Sequence, residues 1–220
     1  MNKRQQRVQR LIDAAVIAVV RSPRRDLIVP LSNALIAGGV VAIEITTTTP
    51  DALNAIRDAR AAFGDRAMIG VGTVLENITC RAALDAGAEF VVSPIMRPSM
   101  VQGCHAADVP VMLGAYTPTE AQLAYEGGAD FIKLFPADTL GPQFVRALRA
   151  PLPHLRLVPT GGVDLSNAAE FLAAGCAALG VGSSLVSAEI LKNQDWAELT
   201  RIAEAFITAA RSVRPVGNVK

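Results

Sequence analysis

The chain has 220 residues, of which 51% are hydrophobic and 19% are charged. This composition excludes a disordered chain and is sufficient for a large buried core. The formal net charge of +1 provides no general attraction to nucleic acid or to an anionic membrane. The three cysteines are widely spaced and the two histidines stand outside the usual ligand spacings, so we expect reduced, buried thiols and no metal site.

The chain opens with the basic segment "MNKRQQRVQR". Its charges are spaced as on one face of a helix, which predicts a solvated terminal helix rather than a nucleic-acid tail. No apolar run reaches membrane-spanning length, and the opening lacks the core of a signal peptide. We therefore expect a cytoplasmic protein without a nucleic-acid or membrane partner.

Eight apolar segments follow along the chain and read as short strands. In chain order they are "AVIAVVR", "AGGVVAIEI", "AMIGVGT", "AGAEFVVSP", "VPVMLGA", "GGADFIKLF", "LRLVP" and "AGCAALGVG". Helical patterns such as "DALNAIRDARAAF" separate them, and this alternation predicts parallel strands. We predict one α/β domain over residues 1–220, a (β/α)8 barrel with an extra N-terminal helix; a doubly wound open sheet is the alternative.

The residues with chemical potential fall at the ends of the predicted strands. Lys133 lies in the apolar run "FIKLF", and Glu44 lies in "AIEIT". Each stands six residues after a glycine that precedes its strand, as Ser93 does, so we expect all three at one height in the barrel. The pair could be a structural salt bridge, or Lys133 could extend its ammonium to solvent. An amine nucleophile and a carboxyl proton shuttle are also what imine chemistry requires.

Glycine-rich segments follow the seventh and eighth predicted strands. The first is "TGGVD", with Gly161 and Gly162, and the second contains Gly182 and Ser184. In barrels the loops after these two strands often bind phosphate, because glycine lets the anion approach backbone N–H groups. A pair of tight turns is the simpler explanation for either loop alone.

Several ordered motifs resemble those of the class I KDPG/KHG aldolases, which cleave 2-keto-3-deoxy-6-phosphogluconate (KDPG) and 4-hydroxy-2-oxoglutarate (KHG). The motifs are "GGVVAIEIT", "IGVGTVL", "VVSP", "TPTEA", "IKLFPAD", "GPQFVRALRAPLPH" and "VPTGGV". The resemblance implies a homotrimer that acts on a small 2-keto acid without metal or cofactor. It also implies residue roles: Lys133 forms the Schiff base, Glu44 moves protons, Thr73 helps to hold the pyruvate carboxylate, Pro94 and Phe135 shape the pocket, and Gly161, Gly162, Gly182 and Ser184 bind phosphate.

One position departs from the family pattern. Many members carry a carboxylate-binding arginine four residues after the glutamate, where this chain has Thr48. Other members carry an arginine at the end of the first strand instead, and Arg21 fills that place here. Since guanidinium pairs with carboxylate in a strict bidentate geometry, our hypothesis is that Arg21 replaces the missing residue. A surface arginine at a strand end is the simpler alternative.

Three other functions stay open at this point. An aldolase for the C4 epimer, 2-keto-3-deoxy-6-phosphogalactonate, shares the "GPQ" segment and also lacks the arginine after the glutamate. A phosphate-binding isomerase or epimerase would share the glycine loops but would not need Lys133. A sugar-phosphate binder without catalysis would bind phosphate and form no covalent adduct.

Overall fold

The computed structural model describes residues 1–214 and contains an eight-stranded parallel sheet. The strands are β1 Val16–Val20, β2 Ala42–Thr46, β3 Met68–Gly72, β4 Val91–Val92, β5 Val111–Ala115, β6 Phe131–Leu134, β7 Leu157–Pro159 and β8 Leu179–Val181. Their order is β7-β6-β5-β4-β3-β2-β1-β8, and a parallel bridge between Thr160 and Gly180 joins the two edges. The sheet is therefore a nearly closed barrel, which confirms the predicted fold.

Helices alternate with the strands and surround the barrel. They are α1 Lys3–Ala14, α2 Ile28–Ala37, α3 Ala52–Phe63, α4 Asn77–Asp85, α5 Val101–Ala106, α6 Pro118–Glu126, α7 Gly141–Arg149, α8 Ala168–Ala173, α9 Ala188–Asn193 and α10 Trp196–Arg211. Among the helices of residues 1–214, none combines the length and the apolar character that crossing a bilayer requires. The end of the domain predicted over 1–220 lies outside the described residues, so that boundary stays a prediction.

The strands are apolar on both faces because each face packs in a separate core. One cluster of buried side chains lies between the barrel and its helices and includes Ile43, Val91 and Ile132. A second cluster fills the barrel interior and includes Ala42, Val92 and Phe131. Successive side chains of a strand point to opposite faces, so this division defines which strand residues point inward.

The extra helix α1 closes the barrel at the amino-terminal ends of the strands. Its apolar residues Val8, Leu11 and Ala14 pack in the interior cluster. Arg4 pairs at 2.6 Å with Asp130, whose side chain is 7% exposed, and Arg7 lies 3.7 Å from the buried Glu89. The helix agrees with the sequence-based expectation, but its basic side chains are more than a solvated face, because they neutralise carboxylates beneath the barrel.

Candidate active site

Lys133 and Glu44 both lie in the barrel interior. Lys133 follows the inward-facing Phe131 by two residues, and Glu44 follows the inward-facing Ala42 by two. Their side chains are only 4% and 3% exposed. Glu44 pairs with Gly70 of β3, and Lys133 pairs with Gly114 of β5. Strand alternation therefore directs an amine and a carboxyl group into one enclosed space.

Ser93 does not share this orientation, so that expectation is wrong. The glycines that end the preceding helices with a positive φ are Gly39, Gly87, Gly128 and Gly175. Counted from these glycines, the equivalent residues stand five positions later, at Glu44, Val92, Lys133 and Gly180. The step of six to Glu44 and to Lys133 starts from Gly38 and Gly127, each the first glycine of a Gly-Gly pair, whereas Gly87 is a single glycine. Val92 consequently packs in the interior cluster, and Ser93 has the opposite parity.

The Glu44 carboxyl occupies space that a glycine leaves open. A Cβ atom placed on Gly72 of β3 would lie 1.7 Å from Glu44 Oε1. Within residues 1–214, this Oε1 atom is buried without a hydrogen-bond partner. Burial raises the pKa of Glu44, and the positive charges of Lys133 and Arg21 oppose that rise. The result is a carboxyl group near an amine that retains the capacity to accept and return a proton.

The Lys133 amine lies against an aromatic ring at the mouth of the barrel. Its Nζ atom is 4.9 Å from the centroid of the Phe135 ring, which is 39% exposed. On the neighbouring strand, a Cβ on Gly114 would lie 2.1 Å from the Pro94 carbonyl oxygen. Phe135 therefore contacts the lysine, and Pro94 lies against Gly114, the residue paired with Lys133 on β5.

Arg21 is held at the mouth by a chain of hydroxyl groups. Its Nε donates a hydrogen bond of 2.9 Å to Thr48 Oγ1, which lies 2.9 Å from Thr46 Oγ1. Thr46 is buried on β2, two residues after Glu44, and its inward orientation follows from that of Glu44. Thr48, which stands where many family members have an arginine, therefore contacts Arg21, which is expected to take the role of that arginine.

Thr73 lies directly after β3, where the chain leaves the barrel. It adopts a left-handed backbone with φ of 60°, which is unusual for a β-branched residue. Its carbonyl oxygen accepts a hydrogen bond of 2.9 Å from the Thr47 hydroxyl. This contact joins the loops after β2 and β3 beside Glu44 and supports the strained turn.

The two glycine loops lie next to each other at the mouth. Gly161 and Gly162 have φ values of 85° and 71°, and a Cβ on Gly162 would lie 2.3 Å from Asp138 Cβ. The Ser184 hydroxyl donates to the Val163 carbonyl, which joins the loops after β8 and β7. A Cβ on Gly182 would meet no atom of the described residues within 4 Å. The four predicted residues are therefore neighbours, with open space beside Gly182.

The sequence assigns no role to Gly72, Gly114 or Thr46, and it marks Thr48 only as the place of the missing arginine. Each lies at or just beyond the end of a strand. That strand either carries a predicted site residue or is paired with a strand that does. Inward parity counted from Gly39 would have indicated Thr46. The same count from Gly64 or Asp108, the positive-φ residues before β3 and β5, would have assigned Gly72 and Gly114 to the wrong face. Contacts between loops, such as that of Thr48 with Arg21, leave no such periodic signal.

Comparison with known proteins gives a consistent identification. The family model "KDPG and KHG aldolase" matches residues 8–202. A 2-dehydro-3-deoxy-phosphogluconate aldolase of Pseudomonas aeruginosa is 36% identical over 192 residues, which cover 87% of each chain. A 2-dehydro-3-deoxy-6-phosphogalactonate aldolase of Escherichia coli is 34% identical over 197 residues, which cover 89% of this chain and 94% of the relative.

A solved structure agrees with these relatives. The KDPG aldolase of Legionella pneumophila, with pyruvate captured as a covalent carbinolamine, superposes with a TM-score of 0.85 at 29% identity. The match covers 91% of this chain and 98% of that one. With the fold, the family model and the relatives in agreement, this chain belongs to the KDPG and KHG aldolase family.

Proposed function

We propose that the protein is a class I aldolase, a lyase that breaks a carbon–carbon bond through a Schiff base on Lys133. Its substrates are KDPG, cleaved to pyruvate and glyceraldehyde 3-phosphate, and KHG, cleaved to pyruvate and glyoxylate. The observation that carries the proposal is the buried Lys133–Glu44 pair at equivalent positions of β6 and β2. Membership of the family agrees with the predicted activity.

The two side chains have complementary tasks in this reaction. The neutral Lys133 amine attacks C2 of the keto acid, and the carbinolamine loses water to give a protonated imine. Glu44 takes the proton of the C4 hydroxyl, the C3–C4 bond breaks, and its electrons reach the imine to form an enamine. The aldehyde is thereby released. Glu44 returns a proton to C3, and water then hydrolyses the imine to free pyruvate and Lys133.

The substrate carboxylate is assigned to Arg21 and Thr73. Arg21 is the cation that the hydroxyl chain through Thr48 holds at the mouth. Its positive charge opposes the rise in the pKa of Glu44, which supports a guanidinium on the side of the interior. Pro94 and Phe135 flank the imine, where their bulk restricts access of water to Lys133.

The phosphate of the longer substrate is assigned to the two glycine loops. Gly161, Gly162 and Gly182 let an anion approach backbone N–H groups, and Ser184 adds a hydroxyl. The hydroxyl of Ser184 donates to the Val163 carbonyl, so its proton must change partner before it can bind a phosphate oxygen. A substrate without phosphate would not use these loops.

A homotrimer in the cytoplasm remains the prediction for assembly and location. Large apolar side chains are exposed in four loops after strands: Leu75, Ile95, Tyr116 and Leu165. Exposed apolar residues in neighbouring loops are typical of a surface that another subunit covers. Light scattering on the intact protein would test the mass, and a monomer would contradict the trimer.

Borohydride trapping tests the imine directly. The protein is incubated with pyruvate, reduced and digested, and the adduct is located by mass spectrometry. We expect it on Lys133, absent from Lys133→Met and retained in Lys192→Met, which removes a lysine in an exposed position. A folded protein that gave no adduct would contradict the aldolase mechanism. The isomerase and binder alternatives would then become the better explanations.

The galactonate epimer is the second candidate substrate. The 34% identical relative from Escherichia coli carries that activity in its name. The two epimers differ only at C4, whose hydroxyl gives its proton to Glu44 in the proposed mechanism. Comparing kcat/KM for the two purified epimers would decide between them. A higher kcat/KM for the galactonate compound than for KDPG would make it the first candidate substrate.

A further inference from the structure

Two of the three cysteines form a close thiol pair in the helical layer outside the barrel. Cys80 lies on α4 and Cys104 lies on α5, and their sulfur atoms are 3.5 Å apart. Both side chains are buried, and both are free thiols. Bond formation requires an approach of about 1.5 Å, since the S–S distance in a disulfide is about 2.05 Å.

A cavity between these helices borders Cys80. The cavity has a volume of about 230 Å³, and its lining includes Cys80, Asn77, Arg81, Ser99 and Gly103. A Cβ on Gly103 would meet no atom of the described chain within 4 Å. A longer side chain at position 103 would therefore extend into the open space beside the cavity.

The two thiols differ in their acidity. The hydrogen bond with Cys104 lowers the pKa of Cys80, while the pKa of Cys104 is raised by the same hydrogen bond and by burial. Cys80 is also the thiol of the pair that lines the cavity, so it is the one that a peroxide would meet first. For the third thiol, Cys176, burial is the main influence and raises the pKa to about 12.

We propose that Cys80 and Cys104 are a modification site, at which a hydroperoxide converts the thiol pair into an intramolecular disulfide. The Cys80 thiolate attacks one oxygen of the peroxide, the O–O bond breaks, and an alcohol or water leaves with sulfenic acid on Cys80. Cys104 then attacks the Cys80 sulfur and displaces water. Two thiols and one peroxide yield one disulfide, one water and one alcohol, so the sulfur atoms supply both electrons. A thiol reductant reverses the change.

The disulfide would link two helices that begin just beyond the active site. The chain runs from Thr73 at the end of β3 into α4, and from Pro94 after β4 toward α5. A bridge between α4 and α5 would fix the relative position of these two outer segments without touching Lys133 or Glu44. This proposal is independent of the aldolase mechanism, because it needs only the thiols and their cavity.

Peptide mass spectrometry after exposure to hydrogen peroxide tests the site in the full chain. We expect the peptides of Cys80 and Cys104 to become linked, with a loss of about 2 Da that dithiothreitol reverses, while Cys176 stays reduced. Cys104→Ser should accumulate a sulfenic acid on Cys80 that dimedone labels. Cys176→Ser is the matched control and should form the bridge as the wild type does.

Gly103→Leu provides a variant that changes neither thiol. Its side chain should fill the cavity and slow bridge formation by about tenfold or more, since access to Cys80 limits the first step. Wild-type protein that kept both thiols reduced, or that oxidised Cys80 to a sulfinic acid without a bridge, would overturn the proposal. Equal bridge formation in Gly103→Leu would overturn the assigned route of access.

Discussion

Replacing Gly72 by alanine should inactivate the enzyme without unfolding it. The new Cβ would lie 1.7 Å from Glu44 Oε1, 2.3 Å from Cδ and 2.6 Å from Cγ. Ordinary carbon–oxygen contacts are no closer than about 3.4 Å, so the carboxyl group must move by about 2 Å. The φ of Gly72 is outside the left-handed region, so alanine introduces no backbone strain at this residue.

The expected loss of activity follows from that displacement. A misplacement of about 1 Å at a reacting group costs about 100-fold in rate, so a shift of about 2 Å in the proton shuttle should lower kcat by at least that factor. A loss of about 100-fold corresponds to about 2.7 kcal/mol of transition-state stabilisation. The amine of Lys133 is untouched, so binding of the keto acid should change much less than kcat.

The assay is aldehyde and pyruvate release by Gly72→Ala, measured beside a thermal unfolding curve. Gly103→Ala is the matched control, because its Cβ meets no described atom within 4 Å. It should keep the wild-type kcat and gain stability by roughly the helix propensity difference of 1 kcal/mol. A folded Gly72→Ala protein with the wild-type kcat would refute the role assigned to the position of Glu44.

Three further predictions concern the same pocket. Glu44→Gln should lower kcat by about 100-fold or more. It should also unfold at a higher temperature than the wild type at neutral pH. Burial raises the Glu44 pKa, so the folded wild type favours the protonated carboxyl and loses stability as pH rises through that pKa, whereas the neutral amide does not titrate. Melting curves at several pH values check this, and an advantage that persisted below the ordinary carboxyl pKa would contradict it. Thr48→Val should raise the KM for pyruvate in the synthetic direction with little change in kcat, because the Thr48 hydroxyl holds Arg21. Thr48→Ser keeps a hydroxyl and should have the wild-type KM. Equal KM values for the wild type and Thr48→Val would count against this role. Gly162→Ala, whose Cβ would clash with Asp138, should weaken use of KDPG by about tenfold and leave use of KHG unchanged; an equal loss for both substrates would argue against a phosphate loop.

The succession of strands and the two central residues can be predicted from the sequence. β2 and β6 each begin three residues after a helix-ending glycine, Gly39 or Gly128, so the positions of Glu44 and Lys133 can be compared from their spacing alone. Eight strand–helix repeats favour a closed barrel over an open sheet, and the bridge between Thr160 and Gly180 joins the two edges of the sheet. Periodicity succeeds here because the backbone itself imposes it.

The spacing changes where a helix ends in one glycine instead of two. The helix before Ser93 ends in a single glycine, which shifts the count by one residue and so moves Ser93 to the face opposite that of Lys133. The contact of Arg21 with Thr48 joins two loops whose conformations no repeat determines. Thr73 likewise adopts a left-handed backbone that its β-branched side chain does not predict. Side-chain contacts between loops are tertiary properties, which a single sequence does not encode locally.

The closure of the barrel by α1 has a kinetic consequence. With Val8, Leu11 and Ala14 filling the amino-terminal end, residues 1–214 leave the mouth as the path between the interior and solvent. In the proposed mechanism pyruvate stays bound to Lys133 after the aldehyde is released, so in synthesis pyruvate must enter first and in cleavage it must leave last. An aldehyde that enters an empty site blocks the path to Lys133. High aldehyde concentrations should therefore inhibit synthesis in competition with pyruvate, and the reaction should follow an ordered sequence.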